Sequence, residues 1–137
     1  NRQSINELLN CHGEAFKINS NAAIITGACT ASGSKIDFSY GGRTNQEIPI
    51  KPNGKLQECI LINGNIVLIP KVIFENIGNL SSDYTHSMGD FDYGLRSIEK
   101  GFKNYTTKQY IAICPRNEKS QWSNHNVPLK KRLKNLK

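Results

Sequence analysis

The chain has 137 residues, 37% hydrophobic and 21% charged, which fits one globular domain with a real core and excludes a disordered or fibrous chain. Eighteen Lys and Arg against eleven Asp and Glu leave +7, a surplus suited to phosphates, polyanions or an acidic membrane surface. No apolar run approaches the ~20 residues that span a bilayer, and no basic stretch is interleaved with aromatics as a dedicated nucleic-acid module requires.

In chain order, Ile5, Leu8, Leu9 and Phe16 predict a first helix, interrupted near Gly13. Residues 22–29 (AAIITGAC) are a short β-branched run ending in small residues, the pattern of a buried strand. Residues 36–40 alternate apolar and polar, which predicts a half-exposed strand before a turn at Gly41 and Gly42. Residues 43–57 are polar and carry Pro49, Pro52 and an Asn53-Gly54 turn, so they read as a loop. Two apolar runs then flank Asn63-Gly64. They form either a hairpin or one strand with a glycine bulge where something approaches the backbone. Pro70 opens a short helix that continues from Val72 to Ile77 and stops at Gly78.

The clearest helical pattern follows. Phe91, Leu95, Ile98 and Phe102 fall at i, i+4, i+7 and i+11, one apolar stripe, with Gly101 where such a helix ends. Asp90 and Asp92 then lie in its first turn, where unpaired N–H groups and the helix dipole favour an anion. A carboxylate there is a cap or a base. Ser87 with Asp90 three residues on has the form of a capping box. Asp92 and Arg96 are spaced i, i+4, as in a helix ion pair. Residues 103–113 predict one or two further strands, stopped by Pro115. The last twenty residues read as loosely packed around Trp122, with Pro128 opening a short basic helix that holds Lys130, Lys131, Arg132, Lys134 and Lys137. Strands alternate with helices, so the class is α/β. Cys11, Cys29, Cys59 and Cys114 form no CxxC, and the three His complete no zinc spacing. Buried thiols in a reducing cytoplasm are the expected state.

The order of these segments resembles the C-terminal half of family 2 glycosyltransferases, enzymes of the GT-A fold. The residues that carry the resemblance are Ile24-Ile25-Thr26-Gly27, Tyr40-Gly41-Gly42 and the run from Asn63 to Gly78. They continue through Asp83-Tyr84-Thr85-His86, the segment from Gly89 to Arg96, Lys100-Gly101-Phe102, Cys114-Pro115-Arg116-Asn117, Trp122 and the run from Val127 to Arg132. The family carries Glu-Asp-x-Asp-Leu-x-x-Arg in the main helix. Here Gly89 replaces the acidic neighbour and Tyr93 the Leu. Asp90 falls on the position that serves as catalytic base in inverting members.

Several expectations follow from the resemblance. The fold is a partial GT-A fold, a mixed sheet with flanking helices that lacks the nucleotide-binding half. Residues 1–137 form the acceptor-binding and catalytic-base part, with a basic tail at 128–137. Asp90-Phe91-Asp92 is literally a DxD, but the metal-binding DxD of these enzymes ends a strand in the N-terminal half, so no metal is assigned here. The full-length enzyme is expected to use Mg or Mn, with ligands mostly outside this chain, and a UDP- or dTDP-sugar donor. The acceptor is a glycan or a lipid-linked molecule of cell-surface polysaccharide synthesis, and the reaction is of hexosyl- or rhamnosyl-transferase type. Such an enzyme is cytoplasmic, with peripheral contact to the inner membrane face through the basic tail and no nucleic-acid partner. A chain that opens at Asn1 is expected to be a fragment, inactive alone. Gly64 and Asn65 match the strand that passes beneath the donor sugar. Asp92, Tyr93, Arg96 and His86 border the helix start and are candidates for substrate contact. Trp122 either packs on a sugar face or holds the tail to the core. The rival expectation is a non-catalytic carbohydrate- or protein-binding α/β module.

Overall fold

The computed structural model describes residues 2–34, 37–84 and 88–117. The first element, α1 (Arg2–Asn19), is continuous, and Gly13 does not interrupt it. A lone Gly costs a helix only about 1 kcal/mol relative to Ala. That loss is outweighed here by packing on both sides of it. Leu8, Cys11 and Ala15 are buried, whereas Ile5, Leu9 and Phe16 are each more than half exposed. The contact face is therefore the one with small side chains, which lets the helix approach the sheet closely.

β1 (Ala23–Thr30) is buried at every position. Its side chains alternate between two cores, as a strand's must. Ala23 and Ile25 pack with Leu8, Cys11, Ala15 and Tyr105 beneath α1. Ile24 packs on the opposite face with Ile62, Ile73, Tyr93 and Phe102. β2 (Phe38–Tyr40) pairs antiparallel with the end of β1. It is more buried than its alternation predicted, because Phe38 and Ser39 are both covered.

The segment around Asn63-Gly64 is neither a hairpin nor one strand. β3 (Gln57–Cys59) and β4 (Val67–Leu68) join different parts of the sheet. β4 runs antiparallel to β1 at Ile25 and Thr26. The chain between them crosses over, pinned where the Thr26 hydroxyl donates to the Asn63 carbonyl (3.0 Å) and lies 3.2 Å from the Asn63 N–H. α2 (Lys71–Ile77) follows, with Pro70 at its N-cap and Gly78 at its C-cap in the left-handed region. α3 (Gly89–Glu99) is succeeded by Gly101, also left-handed at φ +84°. β5 (Lys103–Ile113) is a single strand that runs parallel to β1 along its other side and takes β3 at its far edge. Its register slips between Thr26 and Ala28. There the Thr107 hydroxyl accepts from the Ala28 N–H at 2.9 Å in place of a ladder carbonyl.

The molecule is thus a mixed α/β fold with α1 on one face of the sheet and α2 and α3 on the other. α3 does not bury the stripe its hydropathy predicts. Leu95 is 43% exposed, Phe91 and Ile98 are half-buried, and the buried positions are Tyr93, Gly94 and Ser97. Gly94 explains this. A Cβ there would lie 3.1 Å from Ile62 Cγ1 and 3.2 Å from the Ile60 carbonyl oxygen. Gly94 thus lets the helix come close to the 60–62 segment, while Tyr93 buries its ring beside it. Phe102, beyond the helix end, does reach the core.

The thiols of Cys11, Cys29 and Cys59 are buried, and Cys114 is half-buried. Burial pushes the Cys11 and Cys29 thiols each up to about 11. It raises Cys59 further. Among the described residues no helix is long and apolar enough to cross a membrane.

Candidate functional site

The N-terminus of α3 meets the 63–64 turn through one carboxylate. Asp90 Oδ2 accepts from the Gly64 N–H at 2.9 Å and from Asn63 Nδ2 at 3.3 Å. Its Oδ1 accepts from the Phe91 N–H at 3.0 Å, one of the orphan donors of the first turn. Asp90 therefore serves the helix end and clamps a loop 26 residues away in sequence. Because a carboxylate offers about four acceptor sites, Oδ1 keeps one for a further donor. The N-cap is Met88, which makes no side-chain cap bond. Ser87, the expected cap, lies outside the described residues. Met88 sits at φ +70°, where a side chain costs about 1 kcal/mol or more. Such local strain clusters at functional sites.

Gly64 faces Asp90 directly, and a Cβ at residue 64 would lie 3.5 Å from that of Asp90. Asn65 turns away. Its N–H donates to Asn63 Oδ1 at 3.1 Å, and its amide approaches Cys114 Sγ at 3.6 Å. Of the two adjoining sequence candidates, only Gly64 joins the Asp90 cluster.

Asp92 and Arg96 do form the expected i, i+4 pair, at 2.8 Å with both side chains largely covered. Arg96 has further work: it donates to the carbonyl oxygens of Ile77 at 2.7 Å and Asn79 at 3.0 Å. Its guanidinium also lies 5.1 Å from the Tyr93 ring centroid. The Tyr93 hydroxyl donates to the Gly78 carbonyl at 3.0 Å. Burial pushes the Tyr93 phenol up, with Arg96 opposing. Tyr93, Asp92 and Arg96 together lash α3 to the end of α2, where the helix leaves unpaired carbonyls. His86 and Trp122, and the basic tail at 128–137, lie outside the described residues.

The two carboxylates of the DxD therefore face different partners. Asp90 is held by the 63–64 turn and Asp92 by Arg96. A cation bound between them would have to displace the guanidinium. No group of three or more His, Cys, Asp or Glu gathers among the described residues.

Beside Asp90 opens a cavity of about 210 Å³. Ile62, Val67, Ile69, Phe74 and Leu80 supply its carbon walls, and Gly64, Asn79 and Tyr93 complete it. Larger and more open depressions of about 460 and 680 Å³ lie along α1 and β5, away from these residues.

Two residues that serve this corner were not among the site candidates read from the sequence. Asn63 lends its amide to Asp90. Asn104, fully buried on β5, donates to the carbonyls of Gly94 (2.9 Å) and Ile60 (3.2 Å) and accepts from the Ser97 hydroxyl (2.7 Å). An Asn at the second position of a strand, seven residues after a helix Ser, is the trace that could have pointed to it.

No protein-family model, characterised protein or solved structure matches this chain.

Proposed function

We propose that the chain is the acceptor-side part of an inverting family 2 glycosyltransferase of the GT-A fold, with Asp90 as the general base. Attack by an acceptor hydroxyl on the anomeric carbon requires a proton acceptor within hydrogen-bond reach. The observation that carries the reading is a carboxylate gripped from two sides at the wall of a cavity, with one acceptor site left on Oδ1. Such grip holds the base in one orientation, which is what positioning catalysis demands. The motif order around it, from Asn63-Gly64 to Asp90-x-Asp92-x-x-x-Arg96, supports the same reading. In this reading Asp92, Tyr93 and Arg96 act indirectly, by fixing α3 against α2 so that Asp90 faces the cavity. The donor is a UDP- or dTDP-sugar with Mg or Mn, held by residues other than those of the Asp90 corner. The acceptor is a glycan or lipid-linked alcohol at the cytoplasmic face.

The test is transfer by the full-length protein from labelled UDP- and dTDP-hexoses to an envelope extract containing both glycan and lipid, wild type against Asp90→Asn. The variant is expected to lose about 10²–10⁴-fold in turnover while remaining folded and unfolding cooperatively. Near-normal turnover by Asp90→Asn would remove the base from Asp90. Absence of any transfer by wild type, with the cavity still binding carbohydrate, would favour a non-catalytic binding module.

A further inference from the structure

The cavity beside Asp90 is poorly matched to a fully hydroxylated sugar. Ile62, Val67, Ile69, Phe74 and Leu80 bring hydrocarbon side chains, and the lining is mostly apolar. The polar groups that do line it are mostly committed. The Tyr93 hydroxyl donates to Gly78, and Asn79 accepts through Oδ1 from the Leu80 N–H and through its carbonyl from Arg96. Among the lining side chains, what is left for a ligand is the open site on Asp90 Oδ1, the accepting side of the Tyr93 hydroxyl and the Asn79 side-chain N–H group. Hydroxyls buried against the remaining walls would lose water and gain no partner.

Size and surroundings point the same way. An apolar cavity of ~150 Å³ accepts a benzene-sized ring, so about 210 Å³ takes one ring and a substituent. The carbon surface also continues outward. Phe74 is 50% exposed, Leu80 57%, Tyr84 45% and Met88 49%. Leu80 and Tyr84 both come within 4.0 Å of where a Cβ on Gly89 would stand, one residue from Asp90. Apolar side chains left in water around a cavity mouth mark a surface that something apolar covers.

We infer that the group presented to Asp90 is an alcohol on a hydrocarbon body, one ring or short branched chain in size, and not a polyhydroxylated sugar face. The inference rests on the proposed role of Asp90 and selects the lipid-like acceptor over the glycan. The reacting hydroxyl is the one polar group inside the cavity and donates to Oδ1. The hydrocarbon fills the space between Val67, Ile69 and Leu80 and runs out over Phe74.

The test compares two six-membered rings that differ in hydroxyl count, cyclohexanol and myo-inositol, by amide chemical-shift titration of the 137-residue chain. Cyclohexanol is expected to shift the Gly64, Leu80 and Phe91 amides saturably at millimolar concentration, and myo-inositol at equal concentration to leave them in place. Leu80→Asp and Phe74→Ser, both at half-exposed positions that tolerate polar side chains, are each expected to weaken cyclohexanol at least fivefold. Equal or stronger shifts with myo-inositol, no shift with cyclohexanol, or indifference to both variants would overturn the inference. The outcomes separate from those of the transfer assay. If cyclohexanol binds as expected and transfer proves insensitive to Asp90→Asn, the base assignment fails and the cavity stands. If transfer falls and myo-inositol is the better ligand, the base stands and the hydrocarbon acceptor fails.

Discussion

On one face of the sheet, α1 is held mainly by carbon. Leu8, Cys11 and Ala15 lie on Ala23, Ile25 and Tyr105, and around that carbon core Ser4, Glu7, His12, Glu14 and Asn19 each add a single polar tie to the sheet. On the other face, α3 is held by polar groups that each have several partners: Asn104 beneath it, Arg96 and Tyr93 toward α2, and Asp90 at its tip. The difference is between area and direction. Apolar burial stabilises at roughly 25 cal/mol per Å² and tolerates small shifts, whereas a hydrogen bond weakens steeply with misalignment. A helix that only closes a core can rest on area. A helix that must hold a carboxylate at a cavity wall needs direction.

The largest expected effect breaks the comparison at its functional end. If Asp90 is the proposed base, Asp90→Asn should lower transfer about 10²–10⁴-fold and cost about 1–3 kcal/mol of stability, since the amide keeps one accepting oxygen and turns its NH2 toward the donors on the other. Urea unfolding beside the transfer assay reads both numbers.

A matched pair of core variants comes next. Leu8→Ala under α1 and Asn104→Leu under α3 should each cost about 3 kcal/mol, the first by leaving a cavity and the second by orphaning Ser97 and the Ile60 carbonyl. Only Asn104→Leu should also disturb the Gly64 and Phe91 amides and reduce transfer by the surviving folded protein. Equal disturbance of the site by both variants would dissolve the distinction between the two faces.

Alkali should weaken the carbon face in a defined window. The Cys11 and Cys29 thiols rise from an ordinary 9.0 to about 11 because burial opposes the thiolate. Between those values the unfolded chain releases protons that the folded chain retains, so stability is complete below pH 9 and falls as pH climbs toward 11. For Cys11 alone the loss is of order 2 kcal/mol. Urea midpoints at pH 8 and pH 11 should therefore converge for Cys11→Ala relative to wild type. The Tyr93 and Tyr110 phenols, also raised by burial, act in the same direction in both proteins.

The smallest effect is a gain. Gly13 has open space where a Cβ would stand and an ordinary helical φ. Gly13→Ala should raise stability by about 0.5–1 kcal/mol, visible as a shift of a few degrees in Tm and with no change at the Asp90 corner.

Much of the fold was legible in local pattern. The buried run at 22–29, the stop of α2 at Gly78, the end of the main helix near Gly101 and the i, i+4 pair of Asp92 with Arg96 all rest on interactions within a few residues. The contact faces of both long helices were misread for one reason. Hydropathy weighs the carbon a residue brings: it pointed to Ile5, Leu8, Leu9 and Phe16 in α1 and to Phe91, Leu95, Ile98 and Phe102 around α3, of which only Leu8 and Phe102 are buried. The rest of each buried face is made of small residues, Cys11 and Ala15 beside Leu8 in one and Gly94 and Ser97 beside Tyr93 in the other. The 63–64 turn was ambiguous because its partners, Thr26 and Asp90, lie 37 and 26 residues away.

By itself the sequence determined the class of fold, the order of its helices and the carboxylate at the head of α3, since propensity, turn chemistry and helix-end electrostatics act over a few residues. Tertiary structure alone decided what that carboxylate touches, which face of each helix is buried, and that the space beside Asp90 is lined with carbon. Those depend on how closely separate elements approach, and closeness is set by side chains too small to register in any pattern along the chain.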